Sequence, residues 1–239
     1  MNERLLVRNF GPVKEVDIRF KKLTLFIGDQ GTGKSCIAKL FSIFKWLEKD
    51  LLMKRHPMSY YQKDDKFLTV LAPYHRVESF VKDDTYIRYE GELYHFEYNA
   101  NSLQITELQA DHVALPKVMY VPAERSILSV AENRQKLLKE LPDSCATFSE
   151  ELNNAKIAYK NGYDLPFGNL HYKYNTLNGV SYIWSEGYEE EPIFLRNASS
   201  GIQSALPLCM VSDYLTERVQ QHEDVKLSDK EQKKLDKEV

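Results

Sequence analysis

Long apolar runs, cysteine and net charge are all scarce in this chain, and each scarcity excludes a class of protein. No apolar stretch reaches the roughly 18 residues of a membrane-spanning helix. Cysteine stands only at positions 36, 145 and 209, far apart and without metal-ligand spacing. That pattern argues against a disulfide scaffold and against a zinc site, and reads as free thiols in a reducing compartment. The net charge of −3 gives no electrostatic footprint for nucleic acid or an anionic membrane, and no basic run supplies one locally. Met1-Asn2-Glu3-Arg4 leads into a strand-like segment with no signal-peptide hydrophobic region behind it. The cytoplasm is the expected location.

What is present is an ordinary globular composition, 43% hydrophobic and 28% charged over 239 residues. That length allows one large domain, or one domain plus a small lobe, with a substantial core. Leu5–Phe10 and Val13–Phe20, joined by the turn signal Gly11-Pro12, read as a β-hairpin. Leu23–Ile27 reads as a buried strand running into a glycine-rich loop. Beyond it, Ile37, Leu40, Phe41, Phe44, Leu47 and Leu51 recur at helical spacing. Further on, the patterning predicts a helix over Phe67–Phe80 and a hairpin of Thr85–Tyr89 with Leu93–Tyr98. A second short buried strand is expected at Val118–Val121, then helices over Ser126–Leu141 and Thr147–Tyr159, separated by Pro142-Asp143. Leu170–Tyr174 and Ser181–Trp184 read as strands, and Ile202 to about Gln221 as a helix. The tail from His222 to Val239, dense in acidic residues and lysine, reads as a solvated helix or disordered chain.

The stretch Gly28-Asp29-Gln30-Gly31-Thr32-Gly33-Lys34-Ser35 fits G-x-x-x-x-G-K-[ST]. Glycines let successive N–H groups turn inward on phosphates. The following helix directs its positive end at the same point. Lys34 places an ammonium near the β and γ phosphates, and Ser35 offers a hydroxyl to magnesium. Asp29, Gln30 and Thr32 are loop positions of the same cradle. A chance match in a chain of this length is on the order of one in a hundred at ordinary glycine frequency. ATP with Mg2+ is the expected cofactor. Cys36, in the first turn of the helix, has two readings: a thiol made reactive by the helix end, or a small residue packed under the loop.

Ser199-Ser200-Gly201-Ile202-Gln203 precedes a second apolar run. Serines there are N-caps in the plain reading. Beside a phosphate loop, the same hydroxyls, glycine N–H and helix dipole also make a second anion site. Glu124 has a similar pair of readings, a local ion pair or a functional carboxylate. Arg125 either touches phosphate or fixes its own loop.

Several stretches resemble the ABC-type P-loop ATPases of the RecF, SMC and OLD-like AAA ATPase kind. Leu5–Val13 is similar to their first strand and turn, and Gly28–Ser35 to their phosphate loop. Val121-Pro122-Ala123-Glu124-Arg125-Ser126 is similar to a motif after their third core strand. Ser199–Gln203 resembles their signature motif, with Ile202 where a second glycine is more usual. The resemblance implies an α/β P-loop NTPase head. It would have an antiparallel β-hairpin at its start, a nucleotide-binding core over 1–125, a helical lobe with the signature over 126–221 and a polar tail over 222–239. It also implies two heads sandwiching two nucleotides. Ser200 and Gly201 of one head, with Ser199 and Gln203 beside them, would meet the γ-phosphate held by Lys34 of the other. Glu124 would be the polar residue near magnesium and water, catalytic together with Lys34. Nucleic acid enters as a partner only through this resemblance, and no membrane is implied.

Phosphoryl transfer further requires a carboxylate on magnesium and a group that orients water. In these ATPases both follow a late apolar run ending in an acidic pair. Here Leu206–Asp213 is interrupted by Pro207 and Ser212, Val118–Val121 ends in proline, and Glu189–Glu191 lacks an apolar strand ahead of it. The second half of the core is therefore expected to come from elsewhere. Three functions stay open: an ATP-driven dimerising head in DNA repair or phage defence, a non-hydrolysing nucleotide module completed by a partner chain, or a P-loop kinase with an acceptor site in the 54–110 insertion.

Overall fold

A computed structural model describes residues 3–99, 101–108, 117–131 and 134–220. The predicted tail, 222–239, lies outside the described residues. The chain divides into two compact units, one over Met1–Val118 and one starting at Met119, so that the stretch around Glu124 falls in the second.

In the first unit a five-stranded antiparallel sheet has the order β2-β1-β3-β4-β5. It is built from β1 (Arg4–Phe10), β2 (Val13–Arg19), β3 (Tyr86–Glu90), β4 (Tyr94–Asn99) and β5 (Ser102–Glu107). The turn at Asn9 and Gly11 takes positive φ, which fixes the hairpin register Phe10 to Val13. Strand β5 carried no hairpin signal strong enough to be expected from the sequence.

Helix α1 (Lys34–Leu52) lays Ile37, Leu40, Phe44, Leu47 and Leu51 on the sheet, the stripe its periodicity predicts. Phe44 stacks on Tyr89 at 5.3 Å between centroids and on Phe96 at 5.6 Å. Past α1, the helix expected over Phe67–Phe80 is instead a series of short helical turns, Met58–Tyr61 (α2) preceding Phe67–Leu71, Pro73–His75 and Glu78–Phe80. Pro73 lacks the N–H that a continuous helix would use.

A buried charge network ties α1 to the sheet. Lys45 Nζ donates to Glu3 Oε1 at 2.6 Å and to Glu48 Oε2 at 2.9 Å, and Tyr89 Oη donates to the same Glu3 oxygen at 2.8 Å. Leu93 N closes the set on Glu48 Oε1. Burial and the neighbouring carboxylates push the Tyr89 phenol far above its ordinary value, so it stays a donor. Breaking such a network exposes the strength of its members, because a buried carboxylate left short of donors is costly. Tyr89→Phe removes one donor and should lower unfolding free energy by about 1–3 kcal/mol, read as a lower midpoint in urea with an unchanged slope.

One expectation fails informatively. Leu23–Ile27 is not a buried strand: among the described residues its N–H and C=O groups pair with no other backbone. Its exposure alternates as an extended chain would, with Leu23, Leu25 and Ile27 at 87%, 78% and 88% and the intervening Thr24 and Phe26 half-buried. Phe26 packs on Phe20 and the core. Leaving an aliphatic side chain in water forgoes about 1.5–3 kcal/mol relative to burying it. The apolar sequence is that of a central strand, but its neighbours are absent among the described residues.

The second unit has its own core, drawn from Phe148, Leu152, Tyr172, Ile183, Leu206 and Met210 among others. Helices α3 (Arg125–Val130), α4 (Arg134–Glu140), α5 (Asp143–Ala158) and α6 (Ser200–Gln220) accompany a four-stranded antiparallel sheet of order β6-β7-β8-β9. Its strands are Tyr163–Asp164, Leu170–Asn175, Val180–Ser185 and Ile193–Phe194. The strand expected at Val118–Val121 does not form among the described residues, and Met119 and Val121 are half-buried against this core. The architecture is thus mixed α/β with antiparallel sheets. No helix among the described residues is long and apolar enough to cross a membrane.

Candidate functional site

The phosphate loop sits between the unpaired segment and α1. Gly28, Gly31 and Gly33 all have positive φ, at 154°, 81° and 93°, a region that favours glycine. Gly33 is also the N-cap of α1. A Cβ there would lie 2.4 Å from Cγ2 of the buried Val13. The hairpin turn therefore supports the loop from behind, a role for Gly33 that the phosphate motif alone does not announce. The signal available in the sequence was only the proximity of a turn, Gly11-Pro12, to a strand that starts with valine.

The amides of Gly31 to Cys36 donate to no backbone acceptor among the described residues, and the helical ladder begins with Ile37 N to Gly33 O at 3.1 Å. A row of free N–H groups at a helix start is a ready anion site. Lys34 Nζ is folded across the loop. It donates to Gly28 O at 2.7 Å, to Asp29 O at 2.5 Å and to Thr32 Oγ1 at 3.3 Å, while Thr32 Oγ1 donates to Asp29 O at 2.9 Å. The ammonium thus closes the loop on itself and stands where it can exchange carbonyl oxygens for phosphate oxygens. Gln30 and Ser35 are exposed on the same segment.

These residues fit a nucleoside triphosphate: free amides, a cation and a hydroxyl, with no acid in the first helical turn to oppose it. For magnesium the fit is a single protein ligand, Ser35. No cluster of three or more His, Cys, Asp or Glu side chains suited to a metal occurs among the described residues. Cys36 is corrected from the reactive reading: it is 8% exposed, and burial pushes its thiol up, with Lys39 opposing only in part. It belongs to the buried cluster of the first unit.

In the second unit the structure joins two motifs that the sequence presents separately. Arg125 Nε donates to Ser204 O at 2.9 Å and its Nη1 to Pro122 O at 3.1 Å, so this guanidinium fixes loop and helix. Ser129 Oγ donates its one proton between two carbonyls, Ser126 O at 2.7 Å and Gln203 O at 3.1 Å. The second of these is the carbonyl deprived of its helical donor by Pro207, four residues on within α6. Gln203 in turn spends its side-chain amide on the carbonyls of Leu195, Arg196 and Ala198 at 3.3, 3.0 and 3.0 Å. Its NH2 locks the approach to α6 in place.

Ser199, Ser200 and Gly201 are exposed at the start of α6, with Ser199 Oγ accepting from Ile202 N at 3.4 Å, an N-cap arrangement. Glu124 precedes α3 and is half-buried, its Oε2 3.9 Å from Cys145 Sγ. The local ion pair that the sequence allowed for it does not form among the described residues.

No curated protein matches the chain. Residues 1–112 match the family model of an AAA ATPase domain.

Proposed function

Taking an AAA ATPase domain over residues 1–112 as its nucleotide-binding part, we propose that the chain binds MgATP at Gly28–Ser35 and acts as an ABC-type head whose self-association follows nucleotide binding. The observation that supports this most is the loop itself, where free amides, the Lys34 ammonium and a helix start converge. Lys34 would neutralise β and γ oxygens, and the amides of Gly31 to Cys36 would orient them. Magnesium, when bound, supplies further charge neutralisation beside the Ser35 hydroxyl. Ser200 and Gly201, exposed at the start of α6 in one copy, would complete the γ-phosphate site of another. Glu124 would serve as the polar group beside the attacking water. DNA repair or phage defence is the setting that the RecF, SMC and OLD-like resemblance implies.

Light scattering tests the reading. The mass should double on addition of MgATP and stay monomeric with Lys34→Ala; an unchanged mass in the wild type at saturating nucleotide excludes the sandwich. A second reading is favoured by the unpaired Leu23–Ile27 segment: a nucleotide-binding module that turns over ATP only when a partner completes its core. Turnover by the isolated chain, abolished in Lys34→Ala, would rule that out.

A further inference from the structure

We infer that Asp29 makes the phosphate loop selective for a triphosphate that already carries a divalent cation, over the metal-free form. The inference rests on the MgATP reading above and names the residue that chooses between two charge states of the same ligand. The side-chain charges within Gly28–Ser35 are those of Lys34 and Asp29, one of each sign, and they cancel. What is left to draw an anion is the row of amides and the helix end, equivalent to about half a positive charge. That is little against a triphosphate. A bound divalent cation changes the balance, because it cancels two of the negative charges at the phosphates themselves.

The structure holds Asp29 where this balance matters. Its carbonyl oxygen accepts from Lys34 Nζ at 2.5 Å and from Thr32 Oγ1 at 2.9 Å, so its backbone is pinned to the loop by two donors. Covalent geometry then keeps its carboxylate within about 7 Å of the ammonium. The residue is exposed, and its carboxylate makes no hydrogen bond or ion pair among the described residues, so no contact neutralises it. The next lysine on α1 is turned elsewhere, since Lys39 gives its ammonium to His75 O at 3.1 Å. An anion seated at the amides feels the Asp29 charge in proportion to its own charge. The metal-free triphosphate therefore meets the larger repulsion.

Titration calorimetry on the chain tests this, with ATP in excess magnesium and ATP in a chelator, each at low and at physiological salt. Asp29→Asn should tighten binding of the metal-free form more than that of MgATP. The preference for MgATP should narrow by about two- to fivefold at physiological salt, and by more at low salt, where screening is weaker. Asp29→Glu keeps the charge and should keep the wild-type preference. An unchanged preference in Asp29→Asn would overturn the inference. So would a loss of MgATP affinity in that variant with metal-free binding unaltered, which would make the carboxylate a ligand of the cation instead. Wild-type binding that Lys34→Ala abolishes, beside a preference that Asp29→Asn leaves alone, sinks this inference and spares the nucleotide site. No binding of either form by the wild type sinks both.

Discussion

Replacing Lys34 by alanine should reduce MgATP affinity by about 30-fold to several thousand-fold, the equivalent of about 2–5 kcal/mol for truncating one side of a desolvated charge pair. Within Gly28–Ser35 the ammonium has no substitute, since the other groups there are amides, hydroxyls and the Asp29 carboxylate. Its loss also opens the bonds to Gly28 O and Asp29 O, so the loop arrives less organised. Lys34 is only half-buried, and its fold contribution is correspondingly small. Titration calorimetry should therefore show the binding loss while the thermal midpoint moves by a few degrees at most. Arginine at this position keeps the charge but not the compact shape, and should recover little of the affinity. Undiminished affinity in Lys34→Ala would remove Gly28–Ser35 as the nucleotide site.

Gly33→Ala should be nearly as damaging for a different reason. The added methyl has two faults: a φ of 93°, and a contact of 2.4 Å with Val13 Cγ2. The first costs about 1–3 kcal/mol in backbone strain, and the second about 1–3 kcal/mol as overpacking. Val13 is buried, so it cannot swing away. The two faults separate in a double-mutant cycle. Val13→Ala removes the offending methyl and should return the packing part, while the strain remains. The expected result is a coupling of about 1–3 kcal/mol between positions 13 and 33 in urea unfolding, with nucleotide binding recovered in part. Strict additivity would show that hairpin and loop are independent.

The two motifs differed in how much of their structure the sequence disclosed. The phosphate loop was legible because its constraints are local: three glycines with positive φ, a lysine and a helix stripe all lie within one short segment. The β1–β2 hairpin was legible for the same reason. Leu23–Ile27 differs from the buried strand its sequence predicts because a short apolar run specifies a strand only when neighbours exist to pair with it, and pairing is a property of the whole sheet. Helix breaks over Phe67–Phe80 followed from a proline that the apolar pattern outweighed. At the second motif, Ser199–Gly201 announced a helix start, and α6 begins at Ser200. The positions of Arg125, Ser129 and Gln203 were not legible, since they reach backbone carbonyls 79 and 74 residues away for the first two, and carbonyls in an irregular approach for the third. Carbonyl acceptors leave no mark in a sequence.

Pro207 gives α6 a mechanical character that its length conceals. A helix transmits bending through its ladder of backbone bonds, and the ladder lacks the rung between Gln203 and Pro207. That missing rung lies just behind the tip that carries Ser200 and Gly201. What holds the tip from outside is Arg125 on Ser204 O, helped by the Ser129 hydroxyl, which the carbonyl left without a donor by the proline shares with Ser126 O. The aim of the serine-glycine end is thus governed from α3, as a jointed arm is governed by its tendons and not by its bone.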